Sequence, residues 1–202
     1  SRFIENLPKL TANETDPQML EWTKEGFSGL GFTSLAIPQP VIILSDKNKY
    51  KGIQPDQQKL FADRMQAIFT SRFGDFIDIV DAPQSNSLVI NIALTELIMK
   101  KKRGLLGYTP IGAVGHAATS SRKIDDIEKL AEKVNMKDAN LELEFVDGRT
   151  GELVGVRVLQ IAGKEKGREE ESWAALRKEI TDLAERFARN YKAAIANAES
   201  PQ

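Results

Sequence analysis

Two spacings organise the apolar residues of this chain. Trp173, Leu176, Ile180, Leu183, Phe187 and Tyr191 step by three and four, which places them on one stripe of a long helix. Trp173, Leu176, Ile180, Leu183 and Phe187 are expected to face a sheet. Phe61, Met65, Phe69 and Phe73 recur every four residues, with Leu60 and Ile68 beside them, and predict a second helix. Pro55 and Asp56 suit its first turn and Gly74 its end. Elsewhere the spacing is two. Leu141, Leu143 and Phe145 alternate with Glu142 and Glu144, and Val154, Val156 and Val158 alternate on a return strand. Asp147-Gly148-Arg149-Thr150-Gly151 between them supplies the residue types that turn a hairpin. Ser87 to Met99 reads as the longest strand: Leu88, Ile90, Ile92 and Leu94 form an apolar face, and Val89, Asn91 and Ala93 a mixed one. Ile37–Leu44 and Phe76–Val80 read as strands too, with Pro38 and Pro40 confining the first to a strand entry or an edge.

Ile124, Ile127, Leu130 and Val134 suggest a short amphipathic helix before the hairpin. The resulting order, β-α-β-β-(α)-β-β-α, predicts one α+β domain over residues 37–195. It is expected to be a single two-layer sandwich, a mostly antiparallel sheet with two main helices packed on it. Residues 1–36 are rich in Pro, Gly, Thr and Asn, and are expected to lie as an irregular segment across the core with Trp22 and Phe27 as plugs. Residues 196–202 are expected to fray. Tyr108 to Ala118 fit either a strand of small residues or a loop, so the conformation of residues 104–121 is left open.

Composition narrows the chemistry. The 202 residues correspond to about one domain. The absence of Cys excludes disulfides, thiol nucleophiles and thiolate metal sites. A net charge of −1 lacks the basic excess of nucleic-acid binders. No run of ~18 apolar residues is present to form a membrane-spanning helix. The chain starts at Ser1 rather than Met, as expected of a sequence whose translated start has been removed.

Candidate sites are few. His116 is the only histidine, so multi-histidine metal sites are excluded and one imidazole is left for general-base work. Its neighbours Thr119, Ser120 and Ser121 invite a Ser–His reading, but the chain has no Gly-x-Ser-x-Gly elbow. Gly112 and Gly115 echo a backbone-clamping GXXG loop without a basic residue between them. Lys100, Lys101, Lys102 and Arg103 could meet anionic headgroups or simply guard a strand end. Glu142 and Glu144 share a strand face and could flank a substrate. Asp147, Arg149 and Thr150 occupy the hairpin tip, where a rigid scaffold would present contacts. The candidate binding set is therefore Lys100–Arg103, Gly112, Gly115, His116, Asp147, Arg149 and Thr150, with no catalytic group, metal or cofactor assigned.

Several of these segments together resemble a known family. They are the strand Ile37–Leu44, the helix Gln58–Phe73, Ile79-Val80-Asp81-Ala82-Pro83, the strand Leu88-Val89-Ile90-Asn91-Ile92-Ala93-Leu94-Thr95, the hairpin turn Asp147-Gly148-Arg149-Thr150-Gly151-Glu152 and Trp173-Ala174. The chain resembles, over about residues 22–190, the bacterial lipoprotein group catalogued as domain of unknown function thirty-three thirteen. The resemblance implies a secreted precursor, acylated at a cysteine just before the mature start and anchored in a Gram-negative envelope. It implies no reaction. The expectation is a non-catalytic envelope module that contacts proteins, held to the membrane by a lipid that is not in this chain, with no nucleic-acid partner. Two alternatives stand beside it: a small-molecule or lipid-binding domain with a pocket near Trp22 and Phe27, and a hydrolase using His116.

Overall fold

The computed structural model describes residues 3–14, 16, 18–27, 31–47, 55–101, 134–162 and 171–199. In chain order the elements are β1 (Thr11–Ala12), β2 (Met19–Thr23), β3 (Ser34–Ala36), β4 (Val41–Leu44), α1 (Pro55–Gly74), β5 (Asp78–Val80), β6 (Ser87–Lys101), β7 (Val134–Asp147), β8 (Leu153–Ala162) and α2 (Glu171–Glu199). The fold is α+β. The eight strands form one mixed sheet in the order β1-β2-β8-β7-β6-β3-β5, with β4 also paired to β6.

From β1 to β6 the neighbours are antiparallel, as the hairpin pattern predicts. Beyond β6 the pairing turns parallel, because β3, β4 and β5 all run in the direction of β6 or its neighbour. The expected strand Ile37–Leu44 is divided. Its apolar end is β4, while Ile37–Pro40 bridges to β3, and both pieces lie along β6. Pro38 and Pro40 cannot donate to a ladder, so the break falls where they stand.

Residues 1–36 are not an irregular strap, since they contribute β1, β2 and β3 to the sheet. β2 escaped the periodic reading because its polar Glu21 turns to the helix side. There Arg157, its cross-strand partner on β8, neutralises it at 3.0 Å. Arg157 also donates to the carbonyls of Trp22 (2.9 Å) and Val156 (2.8 Å) and to Thr23 Oγ1 (3.0 Å). Burial lowers the guanidinium pKa, and the Glu21 carboxylate opposes that shift. β2 is thus fixed by a partner far away in sequence. The C-terminal helix likewise runs through Glu199, past the expected start of fraying at residue 196.

One core lies between the helices and the sheet. Met65, Phe69 and Phe73 of α1 and Ile180, Leu183, Ala184 and Ala188 of α2 are buried with Leu88, Ile90, Ile92 and Leu94 of β6 and with Leu141 and Leu143 of β7. Of the five residues expected to face the sheet, Ile180 and Leu183 are buried in this core. Phe187 packs edge-on against Phe145 at 6.0 Å. The side chains of Trp173 and Leu176 lie outside the described set. The helix expected at Ile124–Val134 also lies outside the described residues, apart from Val134, which begins β7.

The opposite face of the sheet is buried at its centre as well. Ala36, Val89, Ala93 and Val156 are all nearly inaccessible and do not belong to the helix-side core. Glu142 sits among them, only 3% exposed, and accepts a hydrogen bond from Thr95 Oγ1. Glu144 accepts one from Asn91 Nδ2 at 2.8 Å. These two carboxylates are engaged by neighbours within the sheet. A buried carboxylate is tolerated only when it is hydrogen-bonded in this way.

Candidate functional site

Three of the described candidate residues, Asp147, Arg149 and Thr150, collect at one place, the turn between β7 and β8. Asp147 organises it. Its backbone N–H donates to Glu152 O at 2.9 Å, and its own carbonyl accepts from Gly151 N at 2.8 Å. Its carboxylate accepts from the backbone N–H groups of Arg149 (2.8 Å) and Thr150 (3.1 Å). Those two backbone bonds, joined by the nearby Arg149 charge, lower the Asp147 pKa below the usual carboxylate range. Thr150 Oγ1 then accepts from Glu152 N at 3.2 Å. Gly151 takes φ +70°, which glycine adopts without a Cβ penalty.

This tip does not hang free. Gly148 donates its N–H to Ser87 O at 2.9 Å and lies flat on the turn that leads into β6. A Cβ at Gly148 would stand 2.6 Å from Gln84 O, Ser87 O and Ser87 Oγ. Ser87 is fully buried, and its hydroxyl donates to Gln84 O (2.9 Å) while accepting from Gln84 N (2.7 Å). On the other flank Lys24 reaches Glu152 at 2.6 Å, and Lys24 N donates to Val154 O at 3.0 Å. Two segments distant in sequence, at Lys24 and at Gln84–Ser87, therefore clamp the turn. Arg149 and Thr150 stand exposed on top of it.

Sequence reading placed Asp147, Arg149 and Thr150 at the tip, and the structure keeps them together. It missed Lys24, Gln84, Ser87 and Glu152. Of these only Gln84 lies in the run Asp81-Ala82-Pro83-Gln84-Ser85-Asn86, whose residue types signal a turn, but nothing in the local pattern says that one turn docks on the other.

Lys100 and Lys101 belong elsewhere. They pair with Asn135 and Val134 at the far end of the β6–β7 ribbon, whereas Leu88 pairs with Asp147 at the near end. At ~3.3 Å per residue the two ends are on the order of 40 Å apart. Lys100 and Lys101 cannot form one site with the hairpin tip. Lys102, Arg103, Gly112, Gly115 and His116 lie outside the described residues. Trp22 and Phe27 do not line a common pocket either. Trp22 pairs with Val156, on the face away from the helices. Phe27 packs on the helix-side core and against Phe32 at 6.0 Å. Among the described residues no group of three or more His, Asp or Glu side chains is placed to hold a metal, and no helix is long and apolar enough to cross a membrane.

No curated protein matches the chain. Among solved structures it is similar to the PelC dodecamer from Paraburkholderia phytofirmans, with 11% identity, 83% of this chain and 96% of that one covered, and a TM-score of 0.40. It is also similar to a putative neuraminyllactose-binding hemagglutinin homolog from Helicobacter pylori, with 14% identity, 85% and 88% covered, and a TM-score of 0.42. The order of strand, helix, central strand and hairpin described above is matched across residues 1–191 by one family model, and the chain belongs to that family, Protein of unknown function (DUF3313).

Proposed function

We propose that this protein is a non-catalytic interaction module of the bacterial cell envelope that contacts proteins through the β7–β8 tip. The observation that carries the reading is the clamped turn. The backbone N–H and C=O of Asp147 and its Oδ1 are engaged internally, and Gly148 is seated on Gln84–Ser87. The exposed side chains of Arg149 and Thr150 are presented on that base. Such an arrangement costs a partner little ordering entropy on binding, and exposed arginine is well suited to protein contacts. The lipoprotein character, with an anchor in the outer membrane and the domain facing the periplasm, is supported by the family resemblance.

A photo-reactive residue placed at Arg149 in the native envelope tests this. Discrete adducts are expected from position 149 and not from Lys178, which is exposed on α2. Equal labelling from both positions, or none from position 149, would refute the tip as the contact surface. Recovery of the full-length precursor's product in the soluble cytoplasmic fraction would refute the envelope placement.

A further inference from the structure

The β7–β8 turn holds the only Asp-Gly pair in the sequence, Asp147-Gly148. At such a pair aspartate rearranges readily, because glycine has no Cβ to shield its nitrogen from the preceding carboxyl group. The Gly148 nitrogen gives up its proton and attacks Asp147 Cγ. The new C–N bond closes a cyclic imide, and one carboxyl oxygen leaves as water. Water then adds back at either imide carbonyl. Cleavage of the bond from nitrogen to Cγ restores aspartate. Cleavage of the bond from nitrogen to the main-chain carbonyl leaves the chain running through the side-chain carbon, an isoaspartyl link. One water leaves and one enters, and nothing is oxidised or reduced.

The seated tip opposes each requirement of that chemistry. Gly148 N–H donates to Ser87 O at 2.9 Å. An imide nitrogen carries no hydrogen, so this bond and the ring exclude each other. Asp147 Oδ1 accepts from the backbone N–H groups of Arg149 (2.8 Å) and Thr150 (3.1 Å), and both bonds must be given up for Cγ to swing onto the nitrogen. The same two bonds favour the ionised carboxyl, whereas its oxygen departs as water far more readily from the neutral acid. A Cβ at Gly148 would stand 2.6 Å from Gln84 O, Ser87 O and Ser87 Oγ, so the backbone is packed too closely to turn while it stays seated.

We propose that Asp147-Gly148 is a latent isomerisation site, kept as ordinary aspartate by the seating of Gly148 on the Gln84–Ser87 turn and converted to isoaspartate when the tip lifts. The site lies in the backbone beneath the contact surface, whatever that surface binds. Ring closure proceeds from the lifted state, so its rate follows the population of that state. The change outlasts the opening. An isoaspartyl link lengthens the main chain by one carbon and moves the carboxylate onto Cα, which displaces the acceptor of the Arg149 and Thr150 N–H groups.

The test uses the full chain and two variants that loosen the seat without touching the reacting atoms. Ser87→Ala removes the hydroxyl that closes the Gln84–Ser87 turn. Lys24→Ala removes the ion pair to Glu152 on the other flank. Each protein is incubated at neutral pH, native and unfolded in urea, and isoaspartate at position 147 is followed by fragmentation mass spectrometry. Hydrogen exchange of Gly148 N–H is measured on the same native samples. The native unmodified chain is expected to isomerise at least roughly tenfold more slowly than in urea. All three proteins should share one rate in urea, and each native variant should isomerise faster by the same factor as its Gly148 N–H exchanges faster. Equal rates for the unmodified chain with and without urea would overturn the proposal. So would a native variant in which Gly148 exchanges faster and position 147 does not isomerise faster. If Ser87→Ala does not fold, Lys24→Ala and the comparison of native with unfolded chain decide.

Discussion

Gly148→Ala is the sharpest test of how the hairpin tip is held. The added methyl would stand 2.6 Å from Gln84 O, Ser87 O and Ser87 Oγ. Two of those atoms are backbone, so a rotamer change at Ser87 cannot clear the space. The tip must lift, and the 2.9 Å bond from Gly148 N to Ser87 O stretches or breaks. Overpacking of this kind costs roughly 1–3 kcal/mol, which for a chain of this size lowers the melting temperature by about 2–4 °C per kcal/mol. Gly151→Ala is the matched control. Nothing lies within 4 Å of a Cβ there, but φ is +70°, so its cost of about 1–2 kcal/mol is conformational. The two glycines should answer differently to asparagine, which tolerates left-handed backbone. Gly151→Asn recovers part of the loss, and Gly148→Asn recovers none. Urea denaturation gives the energies, and amide exchange at Ser87 and Gly148 locates them. An unperturbed Gly148→Ala, or rescue of Gly148 by asparagine, would show that the tip is not seated on the Gln84–Ser87 turn.

Other expectations are as concrete. Arg157→Lys keeps the charge but loses the fork that reaches Glu21, Trp22 O, Val156 O and Thr23; a loss of about 1.5–3 kcal/mol in urea unfolding is expected, and wild-type stability would contradict the assigned role. Asp147→Asn should cost stability above the ordinary carboxylate pKa and cost progressively less as pH falls through the lowered native value, because a depressed folded pKa contributes only where the group is ionised; a pH-independent difference between the two proteins would rule this out. Glu96 holds φ 52° at a β-bulge and accepts a 2.9 Å hydrogen bond from Ser45 Oγ. Glu96→Gly relieves left-handed strain of about 1–2 kcal/mol against the ~0.4–1 kcal/mol of freedom that a glycine adds to the unfolded chain, so it should modestly stabilise a Ser45→Ala background and gain less in the wild type, a coupling read from a double-mutant cycle. Burial pushes the Tyr191 pKa up to about 12, and its buried hydroxyl has no hydrogen-bond partner among the described residues. Tyr191→Phe should then be neutral or stabilising by up to ~1 kcal/mol and should flatten the loss of stability between about pH 10 and 12, where only the unfolded phenol ionises.

The legible parts of this fold are those held by local pattern. α1, α2, β6 and the β7–β8 hairpin each carry a repeat of about four or two residues that survives in the structure. What escaped depends on distant partners. Glu21 disguises β2 until Arg157 is placed beside it. β3 is three buried residues long, too short to show a period. The parallel pairings of β3, β4 and β5 follow from the crossover of the chain through α1, which period alone does not encode. At the tip, Asp147 and Gly151 announce a turn, but Gly148 has no sequence signature separating tight docking from a simple bend. The separation of Lys100 and Lys101 from that tip is visible only once β6 is seen to run unbroken between them.

The pairing of β2 with β8 has a consequence for how the chain is made. Met19 lies against Leu159 and Thr23 against Gly155. At ~5–20 residues per second, a ribosome leaves the first of these segments waiting on the order of ten seconds for the second. Until then β2 has only the two-residue β1 beside it, and Trp22 has no partner across the sheet. Closure of this seam is a late, high-contact-order event. β2 and β8 are then the last strands of the sheet to be stitched together, and the chain is most open to wrong partners before that seam closes.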